Sequence, residues 1–169
     1  MALTQCGIDT GFPRGLASES PGREFFSRPG LEPSVVKILC MTKETISTPN
    51  APAALGPYSQ GIRLGNIVFT AGQGPIDPAT QKIVSGGIVE QTTRVMENLK
   101  AILEEAGTSL DKAVKASVFL KDLNDFQAMN AVYAKYMAPA GVAPPARTTV
   151  QAARLPGDIL VEIDVIAEA

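Results

Sequence analysis

A sequence of 169 residues is long enough for one domain of ordinary size, and its 45% hydrophobic and 19% charged residues are typical of a globular protein. The net charge of −2 provides no basic field to attract nucleic acid, and no apolar run reaches the ~18 residues of a membrane-spanning helix. Because there is no histidine and the only cysteines are Cys6 and Cys40, the composition excludes a clustered zinc site and the Cys–His and Ser–His–Asp arrangements.

Residues 1–40 differ in character from the rest of the chain. They contain four prolines and five glycines and show neither a helical nor a strand period. They lack the continuous apolar stretch of a secretory signal, and their acidic residues count against an organellar transit peptide. We interpret them as an extension that is disordered or outside the fold, with Met41 as the functional start of a cytoplasmic protein. A targeting segment of unfamiliar type is the alternative.

Three strand-like segments precede the first predicted helix. Residues 44–48 are predicted to form a short edge strand that ends at Pro49. Residues 58–64 and 67–71 are predicted as two strands joined by a tight turn at Leu64-Gly65-Asn66. The segment 74–78 contains two prolines and a glycine, so it is predicted as a loop.

Two amphipathic helices are predicted. Between residues 88 and 106, apolar residues recur at steps of three and four, and Gly107 is a natural C-terminal stop. The stripe consists of Val89, Thr92, Met96, Leu99, Leu103 and Ala106. A second helix is predicted to open at Asn124 as N-cap, with Gln127 three residues later, and to end before Pro139.

Strands are predicted at residues 113–120, 147–155 and 159–167. The order β-β-β-α-β-α-β-β predicts an α+β domain in which two helices cover one face of a sheet. The last strand is apolar on both faces, since Val161 and Ile163 point one way while Leu160 and Ile166 point the other. Such a strand is usually buried on both sides. Another copy of the chain is therefore expected to cover the second face.

Two charged residues near these strands are candidates for chemistry. The planar guanidinium of Arg147 suits a carboxylate held through two hydrogen bonds, although a surface arginine at a strand start is the alternative. The apolar neighbours of Glu162 favour a raised pKa and proton exchange with water, although a solvated carboxylate is the alternative. If the last two strands form a tight hairpin, alternation places both side chains on one face, on the order of 13 Å apart.

Other residues carry weaker signals. Tyr58 follows a Gly-Pro turn and either presents its phenol at a cleft or packs as an amphipathic side chain. Gly72 lies among small residues at a strand end, which gives room for a close approach to the backbone. Thr149 shares a strand face with Arg147, and Asn130 interrupts good helix formers in the second helix.

Several motifs together resemble one family. They are Asn50-Ala51-Pro52-Ala53, Gly56-Pro57-Tyr58-Ser59-Gln60, Thr70-Ala71-Gly72-Gln73, the segment 118–126, Pro145-Ala146-Arg147, Ala153-Arg154-Leu155-Pro156 and Val161-Glu162-Ile163. In register along residues 41–169, they resemble the RidA family, also called YjgF or L-PSP endoribonuclease-like. Residues 1–40 have no counterpart in it.

The resemblance implies a chorismate-mutase-like α+β subunit that forms a homotrimer, with a barrel of sheets at its centre and active sites in the clefts between subunits. It implies a metal-independent hydrolase without a cofactor. This deaminase converts reactive 2-imino and enamine acids derived from 2-aminoacrylate, such as 2-iminopropanoate, to the 2-oxo acid and ammonia. The implied partners are small imino acids and 2-oxo acids, with neither membrane nor nucleic acid involved.

The same resemblance assigns roles to residues. Arg147 binds the substrate carboxylate, Glu162 orients and activates the water, and Tyr58 lines the pocket. Gly72, the backbone of Thr149 and Asn130 contact the ligand. Relatives can carry cysteine at the position of Thr149, so only the backbone role carries over there.

Two rival functions stay open at this point. The first is a regulatory trimer that binds 2-oxo acids in the same clefts without turning them over. The second is a translation-inhibiting endoribonuclease, an activity reported for some relatives of the family. The acidic balance and the lack of a basic stripe count against the second.

Overall fold

The computed structural model describes residues 42–169, which form an α+β domain. The predicted extension, residues 1–40, lies outside the described residues. Within the described part the strands are β1 (Lys43–Ile46), β2 (Gly61–Leu64), β3 (Ile67–Thr70), β4 (Ile76–Asp77), β5 (Lys82–Ile83), β6 (Ala113–Leu120), β7 (Ala146–Gln151) and β8 (Val161–Glu168). The helices are α1 (Ile88–Glu105) and α2 (Phe126–Met137).

Six strands form the main sheet in the order β1-β2-β3-β8-β6-β7. Neighbouring strands are antiparallel except β6 and β7, which run parallel. The last strand of the chain therefore lies inside the sheet, between β3 and β6, while β1 and β7 are its edges. Strands β4 and β5 form a separate two-stranded hairpin.

Both helices pack on one face of the sheet and bury the core there. Helix α1 buries Val95, Met96 and Leu99 against the sheet, and α2 buries Met129. The sheet supplies the alternate residues of its central strands, including Val118 and Ile163. The predicted α+β architecture with two helices on one face is confirmed.

The opposite face, here called the open face, has no helix among the described residues. Phe69 pairs with Ile166 across β3 and β8, and Phe119 pairs with Val150 across β6 and β7. Phe69 is 40% exposed and Val150 is 41% exposed. The last strand is thus buried on its helix face and lined by apolar neighbours on its open face, as its sequence pattern predicts.

Two predictions about the ends of the helices were wrong. Val89 is 45% exposed, because Ile88 takes the buried position at the start of α1. Asn124 is not the N-cap of α2, since a short 3-10 turn comes first and the Asp122 carboxylate accepts the Asn124 N–H at 2.8 Å. Gly107 ends α1 as predicted, with a φ of +75° that suits glycine.

Two predictions about strands also need correction. Residues 74–78 are not entirely loop, because Ile76 and Asp77 form β4 and pair with β5. The last two strands are not a hairpin, since β7 pairs with β6 and residues 152–160 carry the chain past β6 to its other side. No helix of the described residues is long and apolar enough to cross a membrane.

Candidate active site

Glu162 lies on the open face of the central strand β8, directly against the backbone of Gly72. A Cβ atom placed on Gly72 would come within 2.2 Å of the Glu162 Oε1 atom. On the neighbouring strand β6, Phe119 pairs with Glu162. The carboxylate is therefore held between an aromatic neighbour and a glycine, and any larger residue at position 72 would displace it.

Gly72 reaches this place because the chain continues beside β8 after β3 has ended. Gln73 and Ile163 exchange two backbone hydrogen bonds, of 2.8 and 3.1 Å. The Thr70 hydroxyl accepts the N–H of Val165 at 2.9 Å. These contacts, one and three residues after Glu162, fix the segment 70–73 against the strand that carries the carboxylate.

A cleft of about 630 Å³ opens at this point, and Glu162, Gly72 and Tyr58 all line it. Its other walls are mainly apolar and come from Leu55, Ala71, Gly74, Ile76, Ile83, Pro156, Gly157 and Ile159. Tyr58 is 54% exposed, and its hydroxyl accepts the N–H of Leu55 at 3.3 Å. The cleft is concave, mostly apolar and contains one carboxylate, which is the usual composition of a small-molecule site.

The surroundings of Glu162 change its acidity. Burial against the cleft walls raises the pKa of this carboxyl, and the nearby Asp164 carboxylate raises it further. Within one subunit, no arginine or lysine among residues 42–169 lines the cleft to offset these two effects. A carboxylate with a raised pKa is a stronger base than an exposed one, so it can take a proton from water more readily.

Arg147 lies outside this cleft, on the edge strand β7. Its Nη1 donates to Asn130 Oδ1 on α2 at 2.8 Å. Its guanidinium carbon lies 4.6 Å from the centre of the Tyr133 ring and 5.5 Å from that of Phe126. The guanidinium is thus held flat against two aromatic rings by one hydrogen bond, which leaves other N–H groups free for a ligand.

Tyr133 and Thr149 belong to the same surroundings. Burial raises the pKa of the Tyr133 hydroxyl, and the charge of Arg147 opposes that shift. The Thr149 Oγ1 atom is buried and has no hydrogen-bond partner among the described residues. Arg147, Asn130 and Thr149 are therefore grouped together, apart from Glu162.

The two groups lie on opposite faces of the sheet. Arg147 pairs with Ala116, which pairs with Val165 on the helix face, whereas Glu162 shares the open face with Phe119. The prediction that Arg147 and Glu162 share a face is wrong, because it assumed a hairpin between the last two strands. With two strand spacings and three residues between them, their backbones are on the order of 14 Å apart.

Two polar residues of α1, Gln91 and Asn98, were not among the predicted site residues. Both are buried and both hydrogen-bond to backbone groups near the cleft. The available signal was a pair of amides seven positions apart, each one helical turn from apolar residues of the buried face such as Val95. Among residues 42–169, no group of three or more acidic side chains is placed to hold a metal ion.

Comparison with known proteins gives the family. Residues 48–169 match the family model described as Endoribonuclease L-PSP. A RutC family protein of Pyrococcus abyssi is 58% identical over 127 residues, which cover 75% of this chain and 98% of that protein. The 2-iminobutanoate/2-iminopropanoate deaminase of Escherichia coli K12 is 46% identical over 124 residues, with 73% and 96% covered.

Solved structures agree with this assignment. A protein of unknown function of the conserved Rid family, YyfA from Yersinia pestis, superposes with a TM-score of 0.73 and 44% identity, covering 76% of this chain and all of that one. TdcF of Escherichia coli, solved with bound serine, has a TM-score of 0.71 and 43% identity, covering 75% and 98%. The chain therefore belongs to the Rid (YjgF) family, whose model is described as Endoribonuclease L-PSP.

Proposed function

We propose that this protein hydrolyses 2-imino acids such as 2-iminopropanoate and 2-iminobutanoate to 2-oxo acids and ammonia. The observation that carries the proposal is the Glu162 carboxylate, held over Gly72 in an apolar cleft where burial raises its pKa. The Escherichia coli relative named as a 2-iminobutanoate/2-iminopropanoate deaminase supports the choice of substrate. We assign the activity to residues 41–169, with residues 1–40 as an extension outside the catalytic domain.

The reaction needs one base and one water. The substrate reacts as the protonated imine. Glu162 takes a proton from the water as the water oxygen bonds to C2 and the C=N electron pair moves to nitrogen, which gives a neutral tetrahedral carbinolamine. Glu162 then returns this proton to the amino nitrogen, which makes ammonia a leaving group. As the C–N bond breaks, Glu162 accepts the hydroxyl proton and the carbonyl forms, and the departing ammonia takes that proton from Glu162 and leaves as ammonium. The protein positions the water and moves protons, so no cofactor or metal takes part.

Arg147 supplies the second requirement, which is recognition of the substrate carboxylate. A guanidinium binds a carboxylate through two parallel hydrogen bonds, and the rings of Tyr133 and Phe126 hold the Arg147 plane in one orientation. The relative solved with bound serine supports a site for small molecules that carry a carboxylate. Thr149 contributes backbone contacts beside Arg147, and Asn130 fixes the guanidinium.

A single subunit does not place both groups on one small substrate. Arg147 and Glu162 lie on opposite faces of the sheet, separated by β6. We propose that Arg147 of one copy faces Glu162 of the next, in a homotrimer whose subunits cover one another's open faces. A head-to-tail contact of this kind forms a closed trimer when the rotation between neighbouring copies returns to the first copy after three steps. The apolar open face and the unpaired edge of β7 supply the surfaces that such a contact buries.

The family model's name favours one alternative, an endoribonuclease. RNA hydrolysis without histidine would require other groups to move protons, and the net charge of −2 gives little attraction for phosphates. A ring that binds 2-oxo acids without turnover is the other alternative, and it uses the same residues. Release of ammonia separates this alternative from the deaminase.

The test is ammonia release from 2-iminopropanoate that an amino-acid oxidase generates from alanine, measured against the uncatalysed rate. The assay contains a chelator, because the proposal requires no metal. We expect the parent protein to accelerate release and Glu162→Gln to lower kcat by on the order of a hundredfold or more, with pyruvate binding kept. Full activity of Glu162→Gln would move water activation to another group. Pyruvate binding without any acceleration would favour the regulatory alternative.

A further inference from the structure

Two buried amide side chains on α1 contact the walls of the cleft. Asn98 is fully buried, and its Nδ2 donates to the carbonyl oxygens of Gly74 at 3.1 Å and Ile76 at 2.9 Å. Gln91 is 7% exposed, and its Oε1 accepts the N–H of Leu160 at 2.8 Å. Gly74 and Ile76 line the cleft, and Leu160 lies two residues before Glu162.

The two amides act from one face of the helix. Seven residues make two turns, so Gln91 and Asn98 point the same way about 10.5 Å apart. The same helix buries the apolar side chains of Val95, Met96 and Leu99. The Asn98 Oδ1 atom is buried and has no hydrogen-bond partner among the described residues. The amide therefore binds the wall of the cleft through its nitrogen atom alone.

The contacts bracket the strand segment that carries Glu162. The N–H of Leu160 is held by Gln91, and its carbonyl oxygen accepts the N–H of Lys121 at 2.9 Å. Ile163, on the other side of Glu162, is held by its two hydrogen bonds to Gln73. Glu162 therefore lies between two fixed points, and Gln91 provides one of them.

The opposite wall is held in the same manner. The segment 72–76 passes beneath the Glu162 carboxylate at Gly72 and then forms the side of the cleft at Gly74 and Ile76. Asn98 ties this part of the segment to the helix layer through its two hydrogen bonds, and β4 is otherwise paired with β5. Loss of the Asn98 amide would release the wall and admit water beside the carboxylate.

We propose that Asn98 and Gln91 are positioning residues of the active site, which hold its two walls at the spacing that keeps Glu162 against Gly72 and away from bulk water. Neither side chain lines the cleft, so both act through the backbone they bind. The inference rests on the role proposed above for Glu162.

The charged groups around Glu162 define what a titration will report. Asp164, two residues along the same strand face, is the charged neighbour whose repulsion raises the Glu162 pKa. On β6, the residue that faces Glu162 is Phe119. Residues 71–76, on the other side of Glu162, carry no charged side chain. Tyr58 is the other titratable group in the cleft. In the proposed trimer, Arg147 of the next copy adds a positive charge near Glu162. The variants described below leave Asp164 and Arg147 unchanged, so a difference in Glu162 pKa between them reports a difference in hydration.

Four variants separate positioning from packing. Asn98→Leu and Gln91→Leu replace each amide with a branched apolar side chain that lacks the hydrogen-bonding groups. Gln91→Glu keeps an oxygen that accepts the Leu160 N–H and is the conservative rescue. Thr92→Val is the matched control, because Thr92 is a buried residue of the same helix whose hydroxyl has no partner among the described residues.

The direct readout is the pKa of the Glu162 carboxyl, followed by carbon NMR in protein with labelled glutamate and assigned with Glu162→Gln. We expect Asn98→Leu and Gln91→Leu to lower this pKa toward the ordinary value, because water replaces the displaced wall. Thr92→Val should leave it at the parent value, and Gln91→Glu should lie closer to the parent than Gln91→Leu does. In the imine assay, the two leucine variants should lose tenfold or more in kcat, while KM stays within about threefold of the parent.

A merely structural role would lower the melting temperature and the active fraction without moving the Glu162 pKa. An unchanged Glu162 pKa in folded Asn98→Leu and Gln91→Leu would therefore overturn the proposal, as would equal shifts in Gln91→Glu and Gln91→Leu. If Asn98→Leu does not fold, the comparison of the two Gln91 variants decides. Absence of turnover in the parent would overturn the deaminase function instead, and the carboxyl titration would still test the two walls.

Discussion

Substitution of Gly72 by alanine tests the position of the Glu162 carboxylate with the smallest possible change. The added Cβ would lie 2.2 Å from Glu162 Oε1, whereas ordinary contact begins at 3.4 Å. The carboxylate must therefore retreat by about 1.2 Å (3.4 − 2.2). A misplacement of roughly 1 Å at a reacting group costs on the order of a hundredfold in rate, so we expect kcat for imine hydrolysis to fall by about that factor.

The fold should tolerate this change. Gly72 does not have a positive φ, so alanine fits its backbone conformation without strain. Reduced freedom of the unfolded chain stabilises such a variant by about 0.4–1 kcal/mol. A shifted Glu162 rotamer costs roughly 0.5–1.5 kcal/mol, so the two effects nearly cancel. We expect the melting temperature to stay within a few degrees of the parent, and pyruvate binding to persist because Arg147 lies on the other face of the sheet.

Controls identify the cause of any loss of activity. In Gly87→Ala the new Cβ would meet nothing nearer than 3.7 Å, so this variant should keep the parent activity. Glu162→Asp shortens the side chain and removes the clash, so Gly72→Ala should cost little further activity when added to it. Parent-like kcat in Gly72→Ala would refute the placement of the catalytic carboxylate over Gly72. Fully additive losses in the double variant would show that the two positions act independently.

Replacement of Arg147 by alanine should weaken pyruvate binding tenfold to 150-fold, since a bidentate charge-assisted contact contributes about 1.5–3 kcal/mol. If calorimetry shows unchanged pyruvate binding, the carboxylate is bound elsewhere. Sedimentation equilibrium should give a homotrimer at micromolar concentration, and a stable monomer would contradict the site between subunits. Removal of residues 1–40 should leave melting temperature, assembly and turnover unchanged, whereas a drop of more than a few degrees would show that they pack on the domain. Glu162→Gln should melt at a higher temperature than the parent, and this difference should be larger at pH 8 than at pH 4, because the glutamine cannot ionise. Glu168→Gln, at the exposed end of the same strand, is the control.

The elements of this fold were largely predictable because each has a local cause. The spacing of apolar residues in α1 and the alternation along β6 are set by the geometry of one helix and one strand. Gly107 ended the helix as its conformational freedom indicates. The errors at Val89 and Asn124 are shifts of one or two residues, where a neighbouring residue of similar chemistry took the expected role.

Strand order was the part that the sequence could not supply. The turn at residues 155–158 suggested a hairpin, yet β7 joined β6 in parallel and β8 entered the sheet on the other side of β6. That choice depends on which strands bury the most apolar surface together, which no single segment encodes. The register through β6, in which Ala116 aligns with both Arg147 and Val165, puts Arg147 and Glu162 on opposite faces.

For the candidate site, too, the local features were predictable and the long-range arrangement was not. The residue types were recognisable, and the family resemblance gave their roles, but their grouping into two separate places came only from the sheet. Gln91 and Asn98 were missed because a buried amide on a helix looks like a defect in an apolar stripe until its backbone partners are known. Those partners lie 22, 24 and 69 residues away in the chain.

The Glu162 carboxyl shows why its surroundings must be held in place. Folding raises the pKa of this carboxyl, so the folded state favours the protonated form. The protonated carboxyl therefore stabilises the fold at a pH below its pKa in the unfolded chain. This stabilisation is lost as the pH rises through its pKa in the folded protein. At neutral pH the ionised carboxylate therefore opposes folding, although its partial exposure lets water screen part of that cost. A carboxylate left free would relax toward water and lose the basicity that hydrolysis uses. The two hydrogen bonds between Gln73 and Ile163 and the amides of α1 oppose that relaxation, which ties the activity of the cleft to the backbone around it.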